Sequence, residues 1–508
     1  MVALSRSPTT GTTAALVTHL LSASGVFAAW IVYGVLNSLV RIGFGRTLSL
    51  DDARAGELVQ TLSLGYQSRN PPLYEWLLWL SERIFGAGIE SHLAVRFSLV
   101  AALGLATFYA ARRAIGDDRW AAIASLSMLA TYAIGWRFHD WATQTILLSI
   151  ACVVTLDAAL LYLERPSWRN AALLGVAAGF GVMGKFSYPL FLAGLLLALA
   201  SMPETRHKLV DRRLLLVPMI AAILVAPYAG WLLSVGASVI TAVSDSVGMS
   251  GRPYAVRALL ALAYMLWSLP AFALQWVVLI AAVTVPFVRW RATVTPPGLG
   301  ERVALRTMLF AALLATIGAV LIGASNIGER YMYPILTIAP IYLFARVARY
   351  GMDRTWVPRF AVVLLAALFV VPALRAVTMS VPLLSRGGQL GTLLPFEALT
   401  AALAHHGIVD GTVVTPDIKV GGNLRSFNPD LRIVSQESYR LNPPPRRASD
   451  DRSCVLVWAG YDARGPALAG TLPRERLDVQ SAPSWFRQPV TALWWLARLD
   501  PKSKLCGW

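Results

Sequence analysis

Apolar runs recur along the first three quarters of the chain, each near the roughly 20 residues a bilayer demands. They fall at roughly 14–40, 93–114, 119–137, 141–163, 170–184, 187–202, 214–237, 256–288, 304–324, 331–348 and 359–381. The pattern predicts a mainly α, polytopic membrane protein with about eleven transmembrane helices. The first run is too long for a signal-peptide core and reads as a membrane helix. From about Ser385 the pattern changes. Phe396 to His406 reads as a helix, while Thr412–Thr415, Leu431–Val434 and Cys454–Trp458 read as short strands separated by Pro443–Pro445 and charged turns. A membrane domain over 1–384 is therefore expected, followed by a small soluble α/β domain over 385–508. No internal repeat is evident.

The longest polar interruption, 41–92, joins the first two apolar runs. Loops beyond roughly 12–15 residues are uncommon and usually functional. Ser49 with Asp52 three residues on matches a capping box, and Gly65 is expected to end the helix that starts there. Pro72 suits the first turn of a second helix, with Leu73, Trp76, Leu77, Leu80 and Ile84 on one face. Tyr74, Trp76 and Trp79 have the amphipathic rings expected at a headgroup boundary. The structural reading of Asp51 and Asp52 is that they complement a helix N-terminus, worth about 0.3–1 kcal/mol each. It weighs about evenly against a catalytic one.

Charge changes the picture next. The net charge is +17, from 45 Lys and Arg against 28 Asp and Glu, which raises the question of nucleic acid. The basic residues, however, punctuate the apolar runs and form no continuous patch, so the positive-inside rule explains them better. Arg112/Arg113/Arg119, Arg165/Arg169, His207/Lys208/Arg212/Arg213, Arg289 to Arg306 and Arg346 to Arg359 occupy every second loop. Those loops, with the N-terminus, are assigned to the cytoplasm. Loops 41–92, 137–141, 184–188, 238–255 and 325–331 then face outward, and an odd span count puts the C-terminal domain outside with them. Acids and bases collect on this outer face: Asp51, Asp52, Glu57, Arg69, Arg137, His139, Asp140, Lys185, Arg252, Glu329 and Arg330. Cys152 reads as a small core hydrophobe. Cys454 and Cys506 can pair if their region faces an oxidising compartment. No Cys/His spacing matches a zinc site.

Three further stretches carry candidate chemistry. Asp140 starts a span within Arg137-Phe138-His139-Asp140-Trp141. Lys185 interrupts two apolar runs within Gly184-Lys185-Phe186-Ser187-Tyr188. Glu329-Arg330-Tyr331-Met332-Tyr333-Pro334 places an ion pair, two tyrosines and a helix-breaking proline at a span mouth. As structure alone, these are a helix-terminal charge, a snorkelling anchor and a surface ion pair.

The succession resembles a known family. Asp51-Asp52, Tyr66, Asn70-Pro71-Pro72-Leu73, Phe85-Gly86 and Val95-Arg96-Phe97 are similar to the acidic pair, "hPPLyy", "lfG" and "lRl" elements of the dolichyl-phosphate-mannose protein mannosyltransferase-like membrane glycosyltransferases, which include the aminoarabinose transferases of lipid A. Asp140 resembles their second acid, Gly184-Lys185 their "tKg" element, and Arg330-Tyr331-Met332-Tyr333-Pro334 their "RYmlP" element. The likeness spans about residues 14–350 in consistent order. It implies a GT-C fold, a polyprenyl-phosphate (undecaprenyl-phosphate type) sugar donor, and an active site at the outer membrane face. It also implies a lipid, glycan or protein acceptor, with a cell-envelope role such as lipid A modification.

On that resemblance Asp51 or Asp52 is the catalytic carboxylate, with Asp140 beside it. Lys185, Arg330, Arg69 and Arg54 are candidate phosphate ligands, and Glu57, Tyr66, Asn70, His139, Tyr331 and Tyr333 complete the pocket. The aminoarabinose transferases carry Glu-Lys-Pro where this chain has Arg69-Asn70-Pro71, so their metal-binding glutamate is missing. No metal ligand and no cofactor is assigned, with Mg²⁺ or Mn²⁺ left open. Sugar transfer from a lipid phosphate needs a base at the acceptor hydroxyl and cations at the departing phosphate. Direct in-line attack inverts the anomeric centre. The competing classes are a lipid or sugar transporter or flippase, and a non-catalytic assembly or receptor subunit. Transporters place their sites near the bilayer midplane on broken helices, whereas here the ionisable residues gather at one mouth. A short polytopic chain of this type points to the bacterial inner membrane.

Overall fold

In a computed structural model, residues 19–139, 143–236, 252–284, 295–324, 331–350, 356–380, 394–435, 443–481 and 489–507 are described. The membrane body consists of α1 (Ala23–Phe44), α2 (Leu50–Leu58), α3 (Leu73–Phe85), α4 (Ile89–Ile115), α5 (Asp118–Leu126), α6 (Thr143–Glu164) and α7 (Trp168–Gly184). It continues through α8 (Tyr188–Ala200), α9 (Leu216–Ser234), α10 (Tyr254–Thr284), α11 (Leu299–Ile322), α12 (Ala339–Arg349) and α13 (Trp356–Ser380), with short helical turns between.

Among the described residues, 7 helices are long and apolar enough to cross a bilayer, and an eighth candidate, Tyr188–Ala200 with Pro203–Val210, is bent by 108°. Seven of the eleven expected runs are such helices among the described residues, and run 187–202 begins the bent pair. The remaining apolar runs are shorter or broken. Run 119–137 divides into α5 and short turns, because Thr131 turns its hydroxyl onto Met128 O at 2.7 Å and caps a new turn. Every residue from Trp120 to Leu126 is buried, so α5 is apolar all round because protein encloses it. Run 331–348 restarts at Pro334 and Pro340, each near the start of its own helix. Run 170–184 is a helix of 17 residues.

The outer loop differs from expectation in two ways. Ser49 does cap α2, its Oγ accepting from Asp52 N at 3.4 Å, but the helix ends at Leu58, well before Gly65. In α3 the buried face is Tyr74, Glu75, Leu78 and Ser81, while Leu80 and Ile84 are 55% and 68% exposed. Leu73, Trp76 and Leu77 of the expected stripe are half-buried against Tyr74, Leu78 and Val95, while its far end is exposed, as in a helix lying in a bilayer interface, where lipid takes the place of a core. Gly86 ends α3 at φ 82°, a conformation that favours glycine.

The C-terminal region adds α14 (Phe396–His405), β1 (Gly411–Thr415), α15 (Ile418–Phe427), β2 (Leu431–Ser435), β3 (Cys454–Ala459), α16 (Arg464–Ala469), β4 (Glu475–Gln480) and β5 (Thr491–Arg498). The sheet order is β2-β1-β3-β5-β4. β1 runs parallel to β2 and β3, with α15 as the crossover, and β5 is antiparallel to β3 and β4. Val413, Ile433 and Val455 pack on one face, Val414, Cys454 and Leu456 on the other. β1 to β3 are buried on both faces, which is why they read as continuous apolar runs. A disulfide joins Cys454 to Cys506. The expected boundary at 384–385 lies outside the described residues.

This region is seated on α2. A Cβ on Gly422 would meet Ala53 O at 1.9 Å and one on Gly421 would meet Glu57 Oε2 at 2.5 Å, so α15 and α2 approach backbone to backbone. Asn423 and Leu48 exchange hydrogen bonds of 2.6 and 3.3 Å. The open edge of β2 is closed from the loop: Gln60 pairs with Ile433 N and O at 2.9 Å each, and Glu57 accepts from Ser435 N at 3.0 Å. Arg425 of α15 clamps Glu82 of α3.

Candidate active site

Asp51 and Asp52 share the first turn of α2 but point into different surroundings. Asp52 is 4% exposed. Arg96 of α4 donates to its Oδ1 at 2.5 Å, Ser49 Oγ to its Oδ2 at 2.8 Å, and His92 Nδ1 lies 3.7 Å away. Burial opposes ionisation of Asp52, but Arg96, His92 and Ser49 together outweigh it and hold the carboxyl below its usual range. Arg96 also donates to His139 O at 2.5 Å, and the His139 Nε2 is hydrogen-bonded to the Tyr33 hydroxyl at 2.8 Å. Asp52 therefore ties α2 to the membrane helices.

Asp51 is half-buried and lines a cavity of about 390 Å³. The polar walls come from element ends: Arg69 and Asn70 ahead of α3, Thr143, Gln144 and Thr145 at the start of α6, Lys185 and Ser187 between α7 and α8, and Tyr331. The apolar walls come from helix interiors, including Phe191, Met265, Ala319 and Ile322. Along α6 the lining passes from Gln144 through Leu148 to Cys152, a rise of about 12 Å. The cavity is thus charged at one end and apolar at the other. Lys185 donates to Thr145 Oγ1 at 3.1 Å, and its ammonium lies 5.4 Å from the centre of the Tyr331 ring. Tyr228 of α9 holds the turn before α3 by donating towards Gln67 O and Asn70 O, at 3.1 and 3.2 Å.

The fold thus brings together Asp51, Arg69, Asn70, Lys185 and Tyr331. Other candidates lie behind or beside this cavity. Glu57 is buried against β2, and Tyr66 bonds locally, donating to Thr61 O at 2.9 Å. His139 is buried between Tyr33 and Phe97, and Tyr333 packs on Phe138 and Phe272. Arg54 is half-buried and is not part of the cavity wall. Asp140, Glu329 and Arg330 lie outside the described residues. No group of three or more His, Cys, Asp or Glu among the described residues is arranged to hold a metal ion.

Comparison with known proteins follows the same lines. The dolichyl-phosphate-mannose-protein mannosyltransferase family model matches residues 69–231. The lipopolysaccharide core galacturonosyltransferase RgtA of Rhizobium johnstonii is 27% identical over 455 residues, 87% of this chain and 88% of that protein. RgtB of the same organism is 25% identical over 466 residues, covering 88% and 90%. ArnT from Cupriavidus metallidurans, solved bound to undecaprenyl phosphate, superposes with a TM-score of 0.62 at 16% identity, over 96% of this chain and 100% of that one. Its apo form gives 0.60. This chain has the GT-C fold of the ArnT structures.

Sequence reasoning missed three parts of this site. Thr143, Gln144 and Thr145 line the cavity, and the available signal was a polar triplet opening an otherwise apolar span. Glu75 sits immediately behind: it is fully buried, and its Oε1 accepts from Gln67 and Gln144 at 2.8 and 3.0 Å. Burial pushes Glu75 up to about 7, the two amides countering only part of that rise. A glutamate inside the otherwise apolar Leu73–Leu80 stretch was its signal. Tyr228 had none, being one aromatic among many in a span.

Proposed function

We propose that the protein transfers a sugar from a polyprenyl-phosphate-linked donor to a hydroxyl of a cell-envelope glycolipid, with Asp51 as the base. The observation that carries this reading is the cavity itself: one carboxylate, Arg69 and Lys185 at the polar end, and an apolar channel fit for an isoprenoid. In the step, the acceptor oxygen attacks the anomeric carbon and its proton passes to Asp51. The bond from that carbon to the phosphate oxygen breaks, and the electron pair leaves with the polyprenyl phosphate. Phosphate leaves readily, so no acid is required. Lys185 and Arg69, with Arg330 in the same role, stabilise the charge that develops. Attack opposite the leaving group inverts the anomeric centre. The galacturonosyltransferase relatives, which act on lipopolysaccharide core, favour a core saccharide as acceptor. The Cys454–Cys506 disulfide favours an oxidising, outward location for the C-terminal region, and so for the site seated beneath it.

Two tests address this reading. Removing the ammonium in Lys185→Ala should cost about 2–5 kcal/mol in donor affinity or rate, the usual cost of truncating one partner of a buried, hydrogen-bonded charge pair. Wild-type turnover in the folded variant rejects the phosphate role. Transfer should also survive thorough EDTA treatment, because Arg69 can meet phosphate bidentately and supply the charge a metal would bring. Loss of transfer that Mg²⁺ or Mn²⁺ restores would show that argument to be wrong.

A further inference from the structure

A second cavity, about 370 Å³, lies where the ends of α2 and α3 meet the C-terminal sheet. Its walls carry Arg83, Arg425, Arg432 and Arg447 against a single carboxylate, Glu82. Two of these arginines are engaged. Arg425 forms a bidentate pair with Glu82 at 2.9 and 2.5 Å. Arg432 donates to Pro444 O at 2.9 Å, Cys506 O at 3.0 Å and Thr412 Oγ1 at 3.3 Å. The guanidinium groups of the other two form no ion pair among the described residues: Arg83 lies over the Trp79 ring at 4.6 Å, with Glu82 acting on it only through space, and Arg447 is exposed beside Pro444 and Pro445. Two guanidinium groups outside any ion pair, one of them over an indole, suit one chemistry well. The fork geometry binds phosphate or carboxylate, and the indole and proline faces accept the C–H face of a sugar ring.

Position adds the second argument. Asp51, at the start of α2, lines the donor cavity, while Val59 and Gln60, just past its end, line this one. Eight residues of helix separate them by about 12 Å. A chain of a few sugars can therefore occupy one cavity and present a hydroxyl at the other.

We propose that the junction cavity is the acceptor's anionic subsite, gripping a phosphate-bearing oligosaccharide through Arg83 and Arg447 while its terminal hydroxyl reaches Asp51. This rests on the transferase reading above. Neither arginine touches the donor cavity, so the two can be tested apart. The full-length protein in detergent would be titrated with phosphorylated core oligosaccharide released from lipopolysaccharide, with the same oligosaccharide after dephosphorylation, and with undecaprenyl phosphate. In Arg83→Gln/Arg447→Gln, affinity for the phosphorylated oligosaccharide should fall about tenfold or more, with undecaprenyl phosphate binding and melting temperature unchanged. The dephosphorylated oligosaccharide should bind the wild type as weakly as the phosphorylated one binds the variant. Equal affinity of wild type and variant, or of both oligosaccharides for the wild type, overturns the subsite. So does arginine-dependent binding confined to phosphatidylglycerol nanodiscs, which would assign the patch to a lipid headgroup. A wild type that does not bind undecaprenyl phosphate overturns the donor reading, whereas the oligosaccharide arms judge the junction cavity.

Discussion

Asp51→Asn should lower the transfer rate by about two to four orders of magnitude, the range over which a positioned general base acts. The change keeps the size of the side chain and removes only its basicity. Asp51 is half-buried at the cavity wall, whereas its neighbour Asp52 forms the buried ion pair with Arg96. Folding should therefore be nearly untouched, since losing one charge from the first turn of α2 costs about 0.3–1 kcal/mol. Binding of undecaprenyl phosphate should persist as well, because the cations that meet phosphate remain. The measurement is single-turnover transfer from a polyprenyl-phosphate sugar, alongside a melting curve. A variant that melts like the wild type and also transfers at the wild-type rate removes Asp51 from the chemistry. A transporter or receptor built on this fold would show no such separation between turnover and binding.

Much of this arrangement is legible in the residues, but unevenly. Apolar runs locate the membrane helices because lipid and protein interior both demand apolar surface. For the same reason they cannot tell α5, enclosed by protein on every side, from a lipid-facing span. Periodicity marks the stripe of Leu73, Trp76, Leu77, Leu80 and Ile84 on α3 but not what it faces. The structure buries Tyr74 and Glu75 fully, half-buries Leu73, Trp76 and Leu77, and leaves Leu80 and Ile84 exposed. The cavity-lining Asp51, Arg69 and Lys185 stand out because charge in an apolar chain is conspicuous, whereas Asn70 and Tyr331 are marked only by the family resemblance. The distinction between Asp51 and Asp52 was not readable, because it depends on Arg96, 44 positions away. Nor was the seating of α15 on α2, which depends on Gly421 and Gly422 matching a backbone hundreds of residues earlier.

That distinction makes the opposite prediction for Asp52. Asp52→Ala should destabilise the protein by about 3–5 kcal/mol, the usual cost of leaving a buried charge without its partner. Arg96 is 2% exposed and would lose its carboxylate while still donating to the His139 carbonyl. Replacing both partners, as in Asp52→Leu/Arg96→Met, should recover most of the loss, because no buried charge then remains. Acid should act in the same direction as the single change. The carboxyl titrates lower in the folded protein than in the unfolded chain. Its stabilising contribution is therefore complete above about pH 4, the unfolded value, and is lost as pH falls through the lower folded value. The measurement is a melting series of detergent-solubilised wild type, both single variants and the double variant, repeated between neutral and acidic pH. If Asp52→Ala melts as the wild type does, or the double variant is as unstable as the two losses added, the pair does not anchor α2. Activity is then informative in its own right. Asp52 joins the turn that carries Asp51 to α4, so the double variant should fold yet transfer slowly, its base held in place on one side only.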